Sequence, residues 1–481
     1  MNPDTAELEL ALARPTHVRW LGDLRADPAR MAAVRDCWRA LVWSRLLVWA
    51  AGVGTLVAFG FGPHRGAFNP PGLTRGFGPL GDLLAGPAAR WDSSWYLVIA
   101  HYGYRPDLGS FTASRSAFYP LYPLGIRGFS DLGLPPVLAG VLISLVAFAL
   151  ALYGIHRLTT LELEPARLAS ARLASPRLAS AELASAELAS AWSPSAEPAS
   201  AQPSVARLAV LLVAFAPMAF FFSAVYTESL YLALSVGLFW CARQGRWMWV
   251  GVLGALAAAT RSTGILLLLP ALVLYLHGPR EDRACDSRGV LRYRLRPDAL
   301  WLALIPAGTG VYLAYLGLSG ADALLPINAE HIWNRDFTAP FAGVWQGFIA
   351  GSDGLRQLLS GQSRHVYFAH TQGSPMIAAG HNLMLLAFLL LALLGLVGVW
   401  RRLPAAYGVY VLAALALPLS TPVASQPLMS LPRFLVVLFP LSIWAAAWLA
   451  PRRRLAFAVL LACALLMALF VAQFSTWHWV A

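Results

Sequence analysis

Eleven apolar runs, each long enough to cross a bilayer or nearly so, leave this chain little choice of architecture. They fall at roughly 41–61, 133–157, 206–223, 226–242, 246–260, 263–277, 299–317, 378–400, 404–421, 432–450 and 455–472. Backbone in hydrocarbon must satisfy its own N–H and C=O groups, so runs of this length are helices and not open sheet. Several are short for a full crossing, and tilted or broken spans are part of the expectation. Composition agrees: 58% of residues are hydrophobic and 12% charged, about half the ~25% charged share of a soluble domain. Mean hydropathy is +0.60. No polar block is long enough for a separate soluble domain. The polar, arginine-bearing first forty or so residues carry no small-residue cleavage site of a signal peptide.

The net charge is +12, and all 36 basic side chains are arginine. Without lysine there is no Schiff-base amine and no Walker lysine. The basic balance does not point to nucleic acid. Many of the arginines sit in short connections between apolar runs, where the positive-inside rule puts them. With the N-terminus inside, the 278–297 loop, Arg401 and Arg402, Arg452 to Arg454, and the turn holding Arg243 and Arg246 become cytoplasmic. The same count places outside the 62–117 loop, Tyr226 to Ser229, Arg261 to Gly264, the 319–375 loop and 421–431. The stretch "FYPLYPLGIRGF" at 118–129 is apolar but short and interrupted by proline. It reads as a kinked or re-entrant approach to the second span.

The expected organisation is a cytoplasmic segment over 1–40, a transmembrane body over 41–472 and a tail over 473–481. Within the body, 159–205 contains the repeat ARLAS ARLAS PRLAS AELAS AELAS at 166–190. Five residues advance a helix by about 140°, so the repeated leucines build no stripe. This reads as a low-complexity cytoplasmic insertion, the alternative being a tether or partner site. Cys37, Cys241, Cys285 and Cys463 show no metal-type spacing, and none lies in a segment placed outside. No disulfide framework is expected.

The chemistry-bearing residues gather in the outward segments. "ARWDSSWYLVIAHYGY", 89–104, sets Asp92 among Arg90, Trp91 and Trp95, followed by Tyr96, His101, Tyr102 and Tyr104. If 88–100 is helical, Ala88, Asp92, Trp95, Tyr96 and Ile99 share a face. Alone, this is either an aromatic-belt helix whose aspartate caps a turn or pairs with Arg90, or a carboxylate placed for chemistry. "FFSAVYTESLYLALS" adds Tyr226 and Glu228, "AAATRSTGILLLLP" adds Arg261, and "SQPLMSLPRFLVVLFP" adds Arg433. Any single one has a structural reading as a snorkelling or helix-pairing side chain. Two carboxylates and two arginines at one membrane edge point to function, because such groups are costly there.

A carboxylate can act as general base on a hydroxyl, and arginines hold phosphate oxygens and stabilise a phosphate leaving group. Tryptophan and tyrosine stack on sugars or lipid chains. The kit suits glycosyl transfer from a lipid-linked sugar phosphate to an acceptor hydroxyl. One base suffices where the reaction inverts the anomeric centre by direct displacement. His331, His365 and His370 occur in "NAEHIWNRDF" and "SRHVYFAHTQGS" without ligand spacing and read as surface histidines. No metal is expected to be obligatory, although an Asp92–Glu228 pair has oxygens suited to a divalent cation.

The stretches "RWDSSWYLVIAHYGY", "FYPLYPL", "FSAVYTESLYLALS", "ATRSTGILLLLP" and "SLPRFLVVLFP" resemble, in order and spacing, the PIG-V mannosyltransferase family. That family includes the second mannosyltransferase of GPI-anchor assembly and bacterial relatives. The resemblance spans about residues 40 to 450 and leaves out the pentapeptide repeat. It implies an all-α polytopic GT-C fold of about eleven transmembrane helices, with amphipathic helices in the first outer loop. It also implies a polyprenyl-phosphate-mannose donor, a lipid or glycolipid acceptor, and an active site on the outer face of a bacterial plasma membrane. Asp92 matches the expected catalytic base. The resemblance implies that Tyr119 and Tyr122 of "FYPLYPL", with Glu228, Arg261 and Arg433, line the donor-phosphate and acceptor cavity, Arg261 and Arg433 being expected to hold the departing lipid phosphate; Arg90, Trp91, Tyr96, His101 and Tyr226 are read beside them as substrate-binding residues. The arginine-only, alanine-rich composition reads as that of a GC-rich bacterium, not expected to make GPI anchors. The rival reading is a transporter or flippase of a lipid-linked or phosphorylated substrate. That class should show internal repeats and midplane charges, and neither is read here.

Overall fold

The computed structural model describes residues 27–61, 73–74, 78–106, 109–174 (backbone only over 164–174), 204–282, 292–362, 374–424 and 426–480. Most of the pentapeptide repeat therefore lies outside the described residues, as do His365, His370 and Cys285.

Among the described residues the protein is all helical, with no sheet and only two isolated bridges, one of them between Arg335 and Val423. Helix α1 spans Pro28–Phe59, and the short α2 spans Gly78–Ala85. Then come α3 (Ser93–Tyr102), α4 (Ala113–Ser116), α5 (Leu121–Asp131) and α6 (Pro136–Ala174). The middle of the chain supplies α7 (Val205–Ala214), α8 (Glu228–Arg243), α9 (Trp247–Ala258), α10 (Leu268–His277) and α11 (Leu304–Leu318). The second long loop holds α12 (Leu325–Asn328) and α13 (Ala342–Ser360). Helices α14 (Pro375–Arg402), α15 (Ala405–Ser420), α16 (Leu431–Leu435), α17 (Phe439–Leu449) and α18 (Arg453–Ser475) complete the bundle.

Five helices are long and apolar enough to cross a bilayer: Pro28–Phe59, Pro136–Leu163, Pro297–Leu318, Pro375–Arg402 and Arg453–Ser475. Shorter apolar helices occupy five of the other expected runs, and α8 occupies the last. This is a membrane protein. Helix α1 begins at Pro28, well before the expected residue 41. The Asp27 carboxylate accepts hydrogen bonds from the N–H groups of Ala29 and Arg30, and Pro28 supplies a helix-compatible first position. Its buried stripe runs Ala33, Cys37, Ala40, Ser44, Val48, Gly52 and Leu56. Residues 118–129 form no full span. Eleven residues make a helix of about 16 Å, and the turn at Leu132 and Gly133 separates α5 from α6.

Lipid is as apolar as leucine, so tight van der Waals contact, not hydrophobic expulsion, holds such a bundle together. At Gly251 a Cβ would stand 2.1 Å from the Trp301 carbonyl oxygen, so only glycine lets α9 press against the 297–303 turn.

Three of the shorter apolar segments are broken beside the charged residues. Helix α7 stops at Ala214 and the chain returns as a 3-10 turn over Ala219–Ser223. A second 3-10 turn, Ser262–Leu267, follows Arg261, and the chain bends between α16 and α17. Helix-free backbone at membrane depth is tolerated where protein groups satisfy it. Arg45 does so at the first break. Its guanidinium donates to the carbonyls of Ala214 (3.1 Å) and Ala219 (2.8 Å) and to Ser223 Oγ (2.8 Å).

Candidate functional site

Two loops strapped together set the position of Asp92. The Val225 N–H donates to Ala88 O (2.9 Å). The Tyr226 hydroxyl donates to Arg90 O (3.0 Å) and accepts from the Asp92 N–H (3.1 Å). Trp91 takes the left-handed backbone at φ 54°, and α3 starts only at Ser93, later than the helix expected over 88–100. Asp92 stands where an N-cap would, yet its side chain caps nothing. Neither structural role foreseen for it, cap or Arg90 partner, is the one it takes.

Its carboxylate turns instead to a residue 341 positions away. Arg433 Nη1 donates to Asp92 Oδ2 (2.6 Å), and Arg433 Nε donates to Glu228 Oε1 (2.5 Å). Arg261 Nη1 donates to the same Glu228 oxygen (2.8 Å). Arg433 also lies over the rings of Tyr226 (4.6 Å) and Phe221 (5.3 Å). Gly264 holds the Arg261 turn against α9, where a Cβ would meet the Ala257 carbonyl oxygen at 2.2 Å. Side-chain exposure rises along the network, from 0% at Glu228 and 7% at Arg433 to 13% at Arg261 and 20% at Asp92. Glu228 is thus the buried anchor and Asp92 the accessible end. Asp92 Oδ1 accepts no hydrogen bond from a described residue.

These groups wall a cavity of about 310 Å³, at the small end of the ~300–1,000 Å³ of small-molecule sites. Asp92, Tyr96, Tyr119, Arg261 and Arg433 line it. Glu228 and Tyr226 stand directly behind, bonded to the residues that do. The other expected site residues lie elsewhere. Arg90 is buried, donates to Ser475 O (3.0 Å) and lies 4.8 Å over the Trp477 ring. Trp91 packs edge-on against Trp477 and Trp479. The Tyr122 hydroxyl donates to Gly140 O (2.9 Å) beneath Tyr96. His101 is exposed at the end of α3.

Four further wall residues were not singled out from the sequence: Glu330, Trp333 and Arg335 from the second long loop, and Trp479 from the expected tail. In "NAEHIWNRDF" the histidine, His331, stands outside the cavity wall, its ring paired with Asp336 in an exposed position. The signal was the arginine and tryptophan beside it. Arg335 Nη2 donates to Met429 O (2.7 Å), tying this loop to the 421–431 connection. Burial pushes the Glu330 carboxyl above the ordinary carboxylate range, and the nearby Arg335 opposes this only in part. The last residues are no loose tail, since Trp477 and Val480 are buried.

Among the described residues no group of three His, Cys, Asp or Glu side chains is placed to hold a metal ion. The space between Asp92 and Glu228, where a shared cation would sit, holds the Arg433 guanidinium. The arrangement offers one open carboxylate oxygen beside guanidinium groups in a cavity lined largely by aromatic and apolar side chains. Comparison with models of protein families, with curated proteins and with solved structures finds no match. Fold and site together define a polytopic helical membrane protein with a charged cavity.

Proposed function

We propose that this chain is an inverting, GT-C-type glycosyltransferase of the PIG-V kind. In this reading it moves mannose, or a related sugar, from a polyprenyl-phosphate carrier to a lipid or glycolipid hydroxyl. The cavity then faces the outside of a bacterial plasma membrane, the side to which the arginine distribution assigns it. The observation that carries the reading is the convergence of Asp92, Glu228, Arg261 and Arg433 on one cavity. They come from four separate segments, and each lies in a motif that resembles the family's.

The chemistry follows from their order of exposure. Asp92 Oδ1 takes the proton of the acceptor hydroxyl as that oxygen attacks the anomeric carbon from the face opposite the phosphate. The bond from the anomeric carbon to the phosphate oxygen breaks, and the polyprenyl phosphate leaves with the electron pair. One proton passes to Asp92, one glycosidic bond forms and one sugar–phosphate ester bond breaks. Arg433 holds Asp92 by its other oxygen, so the base meets the hydroxyl in a fixed orientation. Glu228 fixes Arg433 and Arg261 together, and Arg261 presents positive charge at the cavity wall.

The test is sugar transfer in membranes from labelled polyprenyl-phosphate-mannose to a lipid extract of the host. The wild type should form a labelled glycolipid, and Asp92→Asn should lose roughly 10²–10⁴ in rate. Movement of intact lipid-linked sugar across the membrane without a new glycosidic bond would replace this reading by the transporter one.

A further inference from the structure

The cavity wall carries Asp92 and Glu330 with Arg261, Arg335 and Arg433, and Glu228 stands behind it: three carboxyls and three guanidiniums, unevenly paired. Arg433 is engaged by both Asp92 and Glu228, and Arg261 by Glu228. Arg335 pairs with no described carboxylate. Its Nη2 donates to Met429 O at 2.7 Å and its Nη1 to Thr421 O at 3.5 Å. Those carbonyls hold the guanidinium in place without neutralising it. Phe434 has the guanidinium groups of both Arg261 and Arg335 at 5.7 Å from its ring, so two cations converge on one phenyl. Glu330, on the same wall, is not in ion-pair contact with Arg335, and burial favours its neutral form.

A guanidinium with no carboxylate in contact is costly in a largely apolar cavity, and an anion arriving there gains a direct ion pair that the described residues do not supply. We infer that Arg335 is the residue that receives the phosphate of a polyprenyl phosphate, with Arg261 approaching it across Phe434. This rests on the transfer reading above and gives the phosphate, which the resemblance would place on Arg261 and Arg433, a different holder. Arg261 and Arg433 already serve carboxylates, so the third, unpaired guanidinium takes the phosphate. The substituent on that phosphate is apolar, because Ile327, Leu417, Val437 and Leu438 line the same cavity. A phosphodiester donor carries one negative charge, and its leaving phosphate carries up to two. A cation with no carboxylate already in contact is free to pair directly with that growing charge.

The experiment measures binding to the whole purified protein in nanodiscs of uncharged lipid. The probes are a polyprenyl phosphate, the polyprenol of equal length, inorganic phosphate and phosphatidylglycerol. The variants are Arg335→Gln, which keeps an N–H donor for Met429 O, and Arg335→Lys, which keeps the charge. Wild type should bind the polyprenyl phosphate at least about tenfold more tightly than the alcohol. Arg335→Gln should lose that preference and Arg335→Lys should regain part of it. Unchanged phosphate preference in Arg335→Gln overturns the inference. So does equal affinity for phosphatidylglycerol or inorganic phosphate, which would make the site one for a general headgroup or a free anion. The wild-type preference needs no variant, and its absence overturns the inference by itself. Phosphate binding that depends on Arg335, without sugar transfer by the wild type, upholds the site and removes the transfer reading. Sugar transfer with unaltered binding in Arg335→Gln does the reverse.

Discussion

At one end of α8, Glu228 meets Arg261 and Arg433; at the other, about 22 Å along a 16-residue helix, Arg243 meets Glu162. Both clusters are buried, and both suit the helix dipole, with the carboxylate in the first turn and the arginine in the last. The Arg243 end is closed. Glu162 Oε1 accepts from Arg243 Nη1 (2.5 Å) and from the Tyr407 hydroxyl (2.7 Å), while Arg243 Nε donates to Pro279 O (2.8 Å). Nearby, Arg280 holds Asp282 with two nitrogens and Tyr275 O with the third, packed against Trp247, Tyr275 and Tyr293. The Glu228 end is open. Among the described residues Asp92 keeps an uncommitted oxygen toward a cavity, Glu228 Oε2 is buried with no hydrogen-bond partner, and Arg335 contacts carbonyls but no carboxylate. A buried ion pair contributes little net stability compared with apolar packing. Two such pairs on one helix therefore ask for different explanations. The closed one joins helices through fully engaged partners, and the open one fits the transfer site proposed above.

Parallel substitutions at the two ends break or sharpen that contrast. Glu228→Gln and Glu162→Gln should each cost about 3–5 kcal/mol of stability, because each strands a buried arginine. Thermal unfolding in detergent measures this. Per folded molecule, Glu162→Gln should transfer sugar at the wild-type rate, whereas Glu228→Gln should lose about a hundredfold or more, as Arg433 no longer has its anchor. Equal losses at both ends would erase the distinction. Next in size is Arg433→Lys, which keeps the charge but cannot reach Asp92 and Glu228 with separate nitrogens. A loss of about 10–100-fold in turnover, with donor affinity nearly unchanged, is expected from a rate and KM comparison.

Trp479→Ala should cost about tenfold, because Trp479 both lines the cavity and packs against Trp91 beside the base. The smallest effect concerns pH. Glu330, neutral over a wider range than an ordinary carboxylate, becomes charged as pH rises and then offsets Arg335. Affinity for the polyprenyl-phosphate sugar, a phosphodiester whose single charge does not change there, should therefore fall a few-fold as pH rises through that titration. Glu330→Gln should flatten this profile, and a binding titration against pH checks it.

Much of this was legible in the sequence, for reasons that also explain what was not. Apolar runs in lipid leave helices as the outcome, so the spans could be placed from hydropathy alone. The start of α1 was hidden because Arg30, Arg35, Asp36 and Arg39 lower the local hydropathy while the small, buried stripe continues beneath them. Asp92, Glu228, Arg261 and Arg433 stood out because charge at a membrane edge is rare. Their pairing did not, because a 341-residue separation leaves no local trace. Arg335 and Trp479 lie in a loop and at a chain end, where arginine and tryptophan are ordinary. Only the fold brings them to the cavity wall. Arg90 could not be placed from sequence either: it neighbours Asp92 in the chain, yet its guanidinium donates to Ser475 O away from the cavity wall.

The most direct measurement remains sugar transfer by wild type against Asp92→Asn in the same membranes, with thermal unfolding of both as a control. The account predicts labelled glycolipid from the wild type and a loss of roughly two to four orders of magnitude in a folded Asp92→Asn protein. Equal transfer by the two proteins would contradict it. Asp92 would then serve only to pair with Arg433, and the open end of α8 would be as structural as the closed one.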